Sequence, residues 1–222
     1  MGAAAALSQN VPYPPPQNVL QLSATGTVEV QQDLLSMTLS TTREGADATV
    51  VQTQLKTALD TALNEARKAA QPGQLDVRTG NFSLYPRYGR DGKMSGWSGT
   101  AELVLEGRDF PRITQTAGRI QTMTMGNVGF GLSREQRAKV EGEAQAIAIE
   151  RFKAKAGELA KGFGFSGYTL REIAVNANDQ GPMPRPRMMA MEAKAGAADM
   201  AVPVEAGKSS VIVNVSGTVQ LR

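Results

Sequence analysis

The sequence predicts an α+β fold, antiparallel β-hairpins forming a sheet with helices packed on one face, and three observations carry that prediction. Apolar residues alternate with polar ones over Leu20–Val30, Leu35–Leu39, Trp97–Leu105 and Val211–Leu221, the period of half-buried strands. Turn residues separate neighbouring runs at Asp33 and at Asp91-Gly92, close enough to join strands as hairpins. Elsewhere the period changes to that of a helix, and one helical stretch is unusually long.

That long helix is predicted over about residues 134–162, within Ser133–Phe163. Val140, Ala144, Ile147, Ala148, Phe152, Ala156, Leu159, Ala160 and Phe163 recur at helical intervals. Ser133 with Gln136 three residues on forms a capping box, which satisfies two backbone donors of the first turn. Gly162 and Gly164 supply a left-handed stop that other residues adopt only at a steric cost. At 1.5 Å per residue the helix spans roughly 45 Å, so it must lie along a sheet or reach a partner.

The remaining elements follow in chain order. Leu20 to Val30 and Leu35 to Leu39 read as two strands of a hairpin turning near Asp33. Ala46 to Ala70 reads as the first helix, with Val50, Val51, Leu55, Ala58, Leu59, Ala62, Leu63 and Ala66 as its apolar stripe. Gln71-Pro72-Gly73 ends it, because proline cannot continue a helix. Leu75 to Tyr88 and Met94 to Glu106 form a second hairpin, and Asp91-Gly92 favours a type I′ turn. A slip in parity beside Gly80 predicts a β-bulge. Asp109 caps a short helix whose inner face is Ile113, Ala117 and Ile120. Val128, Phe130 and Leu132 make a brief strand, and strands at Thr169–Val175 and Val211–Leu221 follow the long helix.

Composition narrows the chemistry. The chain contains no cysteine and no histidine, which excludes thiol catalysis, histidine acid–base chemistry and the usual zinc sites. Lys and Arg number 24 against 21 Asp and Glu, and no basic block occurs, so no nucleic-acid partner is expected. No apolar run is long enough to form a transmembrane helix. Residues 1–18 read as a signal-peptide remnant, with the Ala3–Ala6 run as its small-residue end, followed by the polyproline lead-in of Val11–Pro16. A single domain is expected over 19–222, carrying a flexible Met- and Pro-rich loop at about 177–207.

Few residues suggest a site. Asp76, Glu102, Glu106 and Asp109 are carboxylates at strand ends and caps, where solvated or capping roles are commoner than catalysis. Neither a catalytic residue nor a metal or cofactor site is assigned. Tyr85, Tyr88 and Trp97 lie near one hairpin tip and are candidate oligomer or partner contacts, unless they pack across the hairpin as ordinary cross-strand pairs. Met183, Met188, Met189, Met191 and Met200 gather in the long loop, where thioethers suit oxidation to sulfoxide, Cu(I) binding or simple gap-filling. Open antiparallel sheets leave unpaired edges, so self-association is expected through the second hairpin, whose Trp97–Leu105 strand has a nearly uncharged face. The charged face of the long helix, with Arg137, Glu141, Arg151, Lys155 and Glu158, would add contacts between copies.

The ordered motifs resemble the SIMPL-domain family, also called DUF541 or YggE-like. The resemblance runs from Leu20 to Leu221 and rests on Leu22-Ser23-Ala24-Thr25-Gly26 before Val28-Glu29-Val30, and on the Asp33 turn. It rests also on Asp76-Val77-Arg78-Thr79 leading to Tyr85-Pro86-Arg87-Tyr88, on Asn127-Val128 to Phe130-Gly131-Leu132-Ser133, on the helix end Ala156–Ala160, and on Ala201-Val202-Pro203-Val204 with Gly207. Ala24 stands where a glycine is usual, Gln32 where proline is common, and Gly96-Trp97 where glycine-tyrosine is common. The resemblance implies an exported, periplasmic envelope protein, non-enzymatic, linked to oxidative-stress defence and assembling into homo-oligomers that are ring- or channel-like. It implies no catalytic residue set. The competing readings are a metal-dependent hydrolase built on carboxylates and a periplasmic ligand- or copper-binding module.

Overall fold

The computed structural model describes residues 17–178 and 204–222. Its elements are β1 (Val19–Gln31), β2 (Leu34–Gly45), α1 (Ala48–Ala69), β3 (Asp76–Tyr88), β4 (Met94–Gly107), α2 (Phe110–Arg119), β5 (Thr124–Gly131), α3 (Arg134–Gly162), β6 (Tyr168–Asn178) and β7 (Lys208–Leu221). The class is α+β, but the strands divide between two sheets, ordered β1-β7-β6 and β3-β4-β2-β5. The described chain forms two compact units, one of residues 17–28, 141–178 and 211–222, the other of 29–140 and 204–210. The hairpin expected at Asp33 does not form, because β1 and β2 join different sheets. Alternation tells which face of a strand is buried; it does not name the strand that will lie beside it.

In the four-stranded sheet, β2 and β4 pair from Leu35↔Gly107 to Gly45↔Trp97. Their inward residues Leu35, Met37, Leu39, Leu103 and Leu105 meet Val51, Leu55, Ala62 and Ala66 of α1 and Ile113 and Ala117 of α2. Phe110 and Phe130 meet edge-on with ring centroids 5.7 Å apart. Helix α1 starts where the Asp47 carboxylate accepts from Thr49 N and Val50 N, at 2.7 and 3.1 Å. Val50, counted in the apolar stripe from sequence, lies exposed in that first turn. The bulge beside Gly80 is present: Thr79 faces Leu103 while Phe82 faces Ala101, and Asn81 N donates to Glu102 Oε2 at 3.0 Å.

The turn between β3 and β4 differs from the expected type I′. Gly89 N bonds Lys93 O at 2.8 Å and Gly92 N bonds Gly89 O at 3.0 Å, with Gly92 alone in the turn at positive φ (73°). This is a three-residue loop, a type I turn closed by a left-handed glycine. Asp91 keeps an ordinary φ while its Oδ1 accepts from Lys93 N at 3.2 Å.

Where β1 gives way to β2, the Asp33 carboxylate gathers three segments. Ser133 N donates to its Oδ1 at 2.7 Å, Ser133 Oγ donates to its Oδ2 at 2.6 Å, and Arg108 Nε lies 3.4 Å from Oδ2. Ser133 Oγ in turn accepts from Gln136 N at 3.2 Å. Half of the predicted capping box is therefore in place, with Asp33 rather than Gln136 receiving the Ser133 N–H. Gln32 N donates to Gly207 O at 3.0 Å, a bond that proline at this position would lack.

In the three-stranded sheet the core is built on a line of small residues. Ala144, Ala148, Phe152, Ala156 and Ala160 fall four apart along α3 and bury against Leu22, Val213, Val215, Val219 and Leu221. The alanines let the helix backbone approach the strand so closely that a Cβ on Gly26 would lie 1.9 Å from Ala144 O and 2.7 Å from Ala148 N. Helix α3 ends in a Schellman motif: Phe165 N bonds Ala160 O at 2.9 Å and Gly164 N bonds Lys161 O at 3.0 Å, with Gly164 at φ 83°. Gly162 remains helical and Phe163, expected inside, is exposed.

Gly26→Ala should destabilise the protein by about 3 kcal/mol or more, since backbone rather than a flexible side chain must yield. Gly142→Ala, in open space on α3, should instead gain about 0.5–1 kcal/mol. Thermal unfolding of the two variants beside wild type checks both signs.

Candidate functional site

The carboxylates singled out from sequence do not converge. Asp76 accepts from Gly73 N at 3.3 Å, closing the turn after α1, and Glu102 serves the bulge at Asn81. Glu106 lies 3.6 Å from Arg78 across the β3–β4 pair. Asp109 caps α2, accepting from Arg112 N at 3.1 Å while Arg112 Nε reaches its other oxygen at 3.0 Å. Among the described residues no three acidic side chains group closely enough to hold a metal ion. Each of these carboxylates has a local partner, which is an architecture of caps and cross-strand pairs rather than an acid–base dyad.

Among the described residues, three shallow grooves lie along the helical side of the four-stranded sheet. One of about 420 Å³ has Glu65, Lys68 and Arg119 at its rim, and one of about 340 Å³ has Arg43 and the Thr53, Thr57 and Thr61 face of α1. The third, of about 300 Å³, lies at Asp109, Arg112 and Arg119. The threonines are already committed, each hydroxyl donating to the carbonyl four residues earlier at 2.8–2.9 Å. A hydrogen bond from Lys68 holds the Glu65 carboxyl below its ordinary pKa, and the bond from Arg112 does the same for Asp109. Both carboxylates stay ionised near neutrality and gain no proton-transfer capacity from these surroundings.

The three aromatic residues expected at the second hairpin tip are separated by the sheet. Trp97 shares the face of Gly99, Ala101, Leu103 and Leu105 and packs half-buried against the core. Tyr85 sits opposite Ser98 on the other face, 65% exposed, and Tyr88 sits opposite Met94, with exposures of 66% and 52%. The apolar group in water at the tip is thus Tyr85, Tyr88 and Met94. Met94 was not among the residues singled out from sequence, since its place depends on the extra residue Ser95 of β4, where the register shifts by one between Arg87 and Tyr88. Beside them the Arg87 guanidinium pairs with the Glu44 carboxylate. Met183, Met188, Met189, Met191 and Met200 lie outside the described residues.

Strand β4 is internal, held by β3 on one side and β2 on the other, so its Trp97–Leu105 segment offers no edge for pairing between copies. Its uncharged face is the core. The cationic residues of α3 are partly spent as well, since Arg151 Nη1 donates to Thr25 O at 2.8 Å and Lys155 Nζ to Ser23 O at 3.1 Å. No described helix is long and apolar enough to cross a membrane.

Residues 20–219 match the family model described as SIMPL, protein of unknown function (DUF541). No curated protein matches the chain.

Asp109→Ala should cost about 1 kcal/mol at neutral pH through loss of the α2 cap. The folded-state pKa of Asp109 lies below its unfolded value, so its contribution is complete above the unfolded pKa of about 3.9 and disappears as pH falls through the lower folded value. Denaturant unfolding of wild type and variant at neutral and strongly acidic pH should show the difference closing in acid.

Proposed function

We propose, from the premise that this chain belongs to the SIMPL (DUF541) family, that it is an exported protein of the bacterial envelope that works by assembling with copies of itself and contributes to oxidative-stress defence. The observation that carries the reading is that neither sheet closes: β1, β6, β3 and β5 are all end strands among the described residues. An end strand presents a row of backbone donors and acceptors that must be covered, charged or paired. The exposed Tyr85, Tyr88 and Met94 add apolar surface of the kind that favours contact with another polypeptide. Support for a non-enzymatic role comes from the carboxylates, which are distributed among caps, turns and cross-strand pairs. The periplasmic setting rests on the Ala-rich, Pro-rich beginning of the sequence and on the family resemblance.

Sedimentation at micromolar concentrations should show species heavier than the 23.5 kDa monomer, and Tyr88→Asp should weaken them without unfolding the chain. Trp97→Asp would be a poor test, because Trp97 packs on the core and its loss reports on folding. A monomer at every concentration overturns the assembly part. The stress-defence part predicts better survival of peroxide-treated bacteria that export the chain than of those without it, and equal survival overturns it.

A further inference from the structure

The two end strands of the β1-β7-β6 sheet are treated differently. On β1 the carbonyls of Ser23 and Thr25 are taken by Lys155 and Arg151 of α3, while the Asn18 carbonyl accepts from Leu221 on the β7 side. Alternate carbonyls face opposite edges of a strand, so these two cations block the outer edge of β1. Among the described residues no side chain is bonded across the outer edge of β6 in this way. It runs eleven residues, Tyr168–Asn178, contains no proline and no lysine, and leaves Leu170, Ile173 and Val175 at 53, 41 and 45% exposure.

These three apolar residues share one face. Leu170 pairs with Val219, Ile173 with Gly217 and Val175 with Val215, the inward-facing row of β7, and Tyr168 opposite Leu221 begins the same row. An extra residue at Arg171, where the register slips between Leu170 and Glu172, keeps them together. Without the bulge, residues 170 and 173 would point to opposite faces. The bulge also leaves two adjacent opposite charges on the edge strand. Arg171 Nη1 bonds only the Gln220 side-chain amide, at 3.0 Å, and Glu172 has no ion-pair partner among the described residues.

We propose that β6 is the edge through which two copies of this chain join, antiparallel, about a twofold axis between Arg171 and Glu172. This deepens the self-assembly reading and rests on it. In that register Arg171 lies opposite Glu172 of the second copy and Glu172 opposite its Arg171, giving two ion pairs. Leu170 lies opposite Ile173, and Tyr168 opposite Val175, so like faces meet along the strand. An antiparallel self-pair centred between two residues sets unlike faces together in a regular strand; the extra residue at Arg171 reverses that and makes β6 complementary to itself. The contact is isologous, and two three-stranded sheets become one of six strands.

The test is charge reversal with rescue, read by sedimentation equilibrium of the full chain. Arg171→Glu and Glu172→Arg each put like charges opposite one another twice, and each should weaken self-association about tenfold or more. The double variant R171E/E172R restores opposite pairs and should return association to near the wild-type value. Ile173→Lys, at an exposed position, should weaken it without restoring partner, and circular dichroism should show all four variants folded. If wild type self-associates and the variants do so equally, this edge is overturned while the assembly reading stands. If the double variant is as weak as the singles, the register is overturned. A wild type that is monomeric throughout overturns the reading underneath.

Discussion

The Asp33 carboxylate is the constraint on which the rest of the structure depends. It lies where β1 has ended and β2 begins, and it holds the main-chain N–H and hydroxyl of Ser133, the residue from which α3 starts. A helix N-terminus has orphan donors, and a carboxylate both accepts from them and suits the positive end of the helix dipole. Arg108 balances the same carboxylate, and Gln32 beside it ties in the start of β7 through Gly207 and Ser209. Removing the carboxylate would leave the buried Ser133 with an unpaired donor, a cost comparable to a lost cap.

A second constraint is steric. Packing a helix of 29 residues on a strand with the backbones nearly in contact requires small side chains on both surfaces. The alanines at 144, 148, 156 and 160 meet this on the helix, and Gly26 meets it on β1. The close approach has a further effect, since it brings Arg151 and Lys155 over the outer carbonyls of β1. One edge of that sheet is therefore covered by the helix that stabilises it, while the opposite edge at β6 retains exposed leucine, isoleucine and valine.

The same economy runs through the charged residues. Glu102 stabilises a bulge, Asp109 and Asp47 cap helices, and Glu106 and Glu44 pair with arginines of β3. Asp109 among them is held below its ordinary pKa by its hydrogen bond from Arg112. What distinguishes the surface is its strand edges and its exposed aromatic hairpin tip, features suited to polypeptide contact.

The sequence by itself determined the α+β class, the extent of α3, the caps at Asp109 and Ser133 and the bulge beside Gly80, because each follows from interactions within a few residues. Periodicity reports which side of an element is buried, and a cap or bulge is written in the residues that make it. Strand partnership was legible only across the short β3–β4 loop: β1 and β2 have the alternation of a hairpin, yet they belong to separate sheets, and β4 is interior rather than an edge. The tip followed suit, with Trp97 turned to the core and Tyr85 to solvent through a register set by the pairing of β3 with β4. The β6 edge was invisible for the same reason, since exposure of Leu170, Ile173 and Val175 depends on which strand and helix lie beside them. Tertiary structure alone decided these points, because backbone hydrogen bonds between strands are nearly independent of sequence, and long-range packing selects among pairings that local patterns leave equivalent.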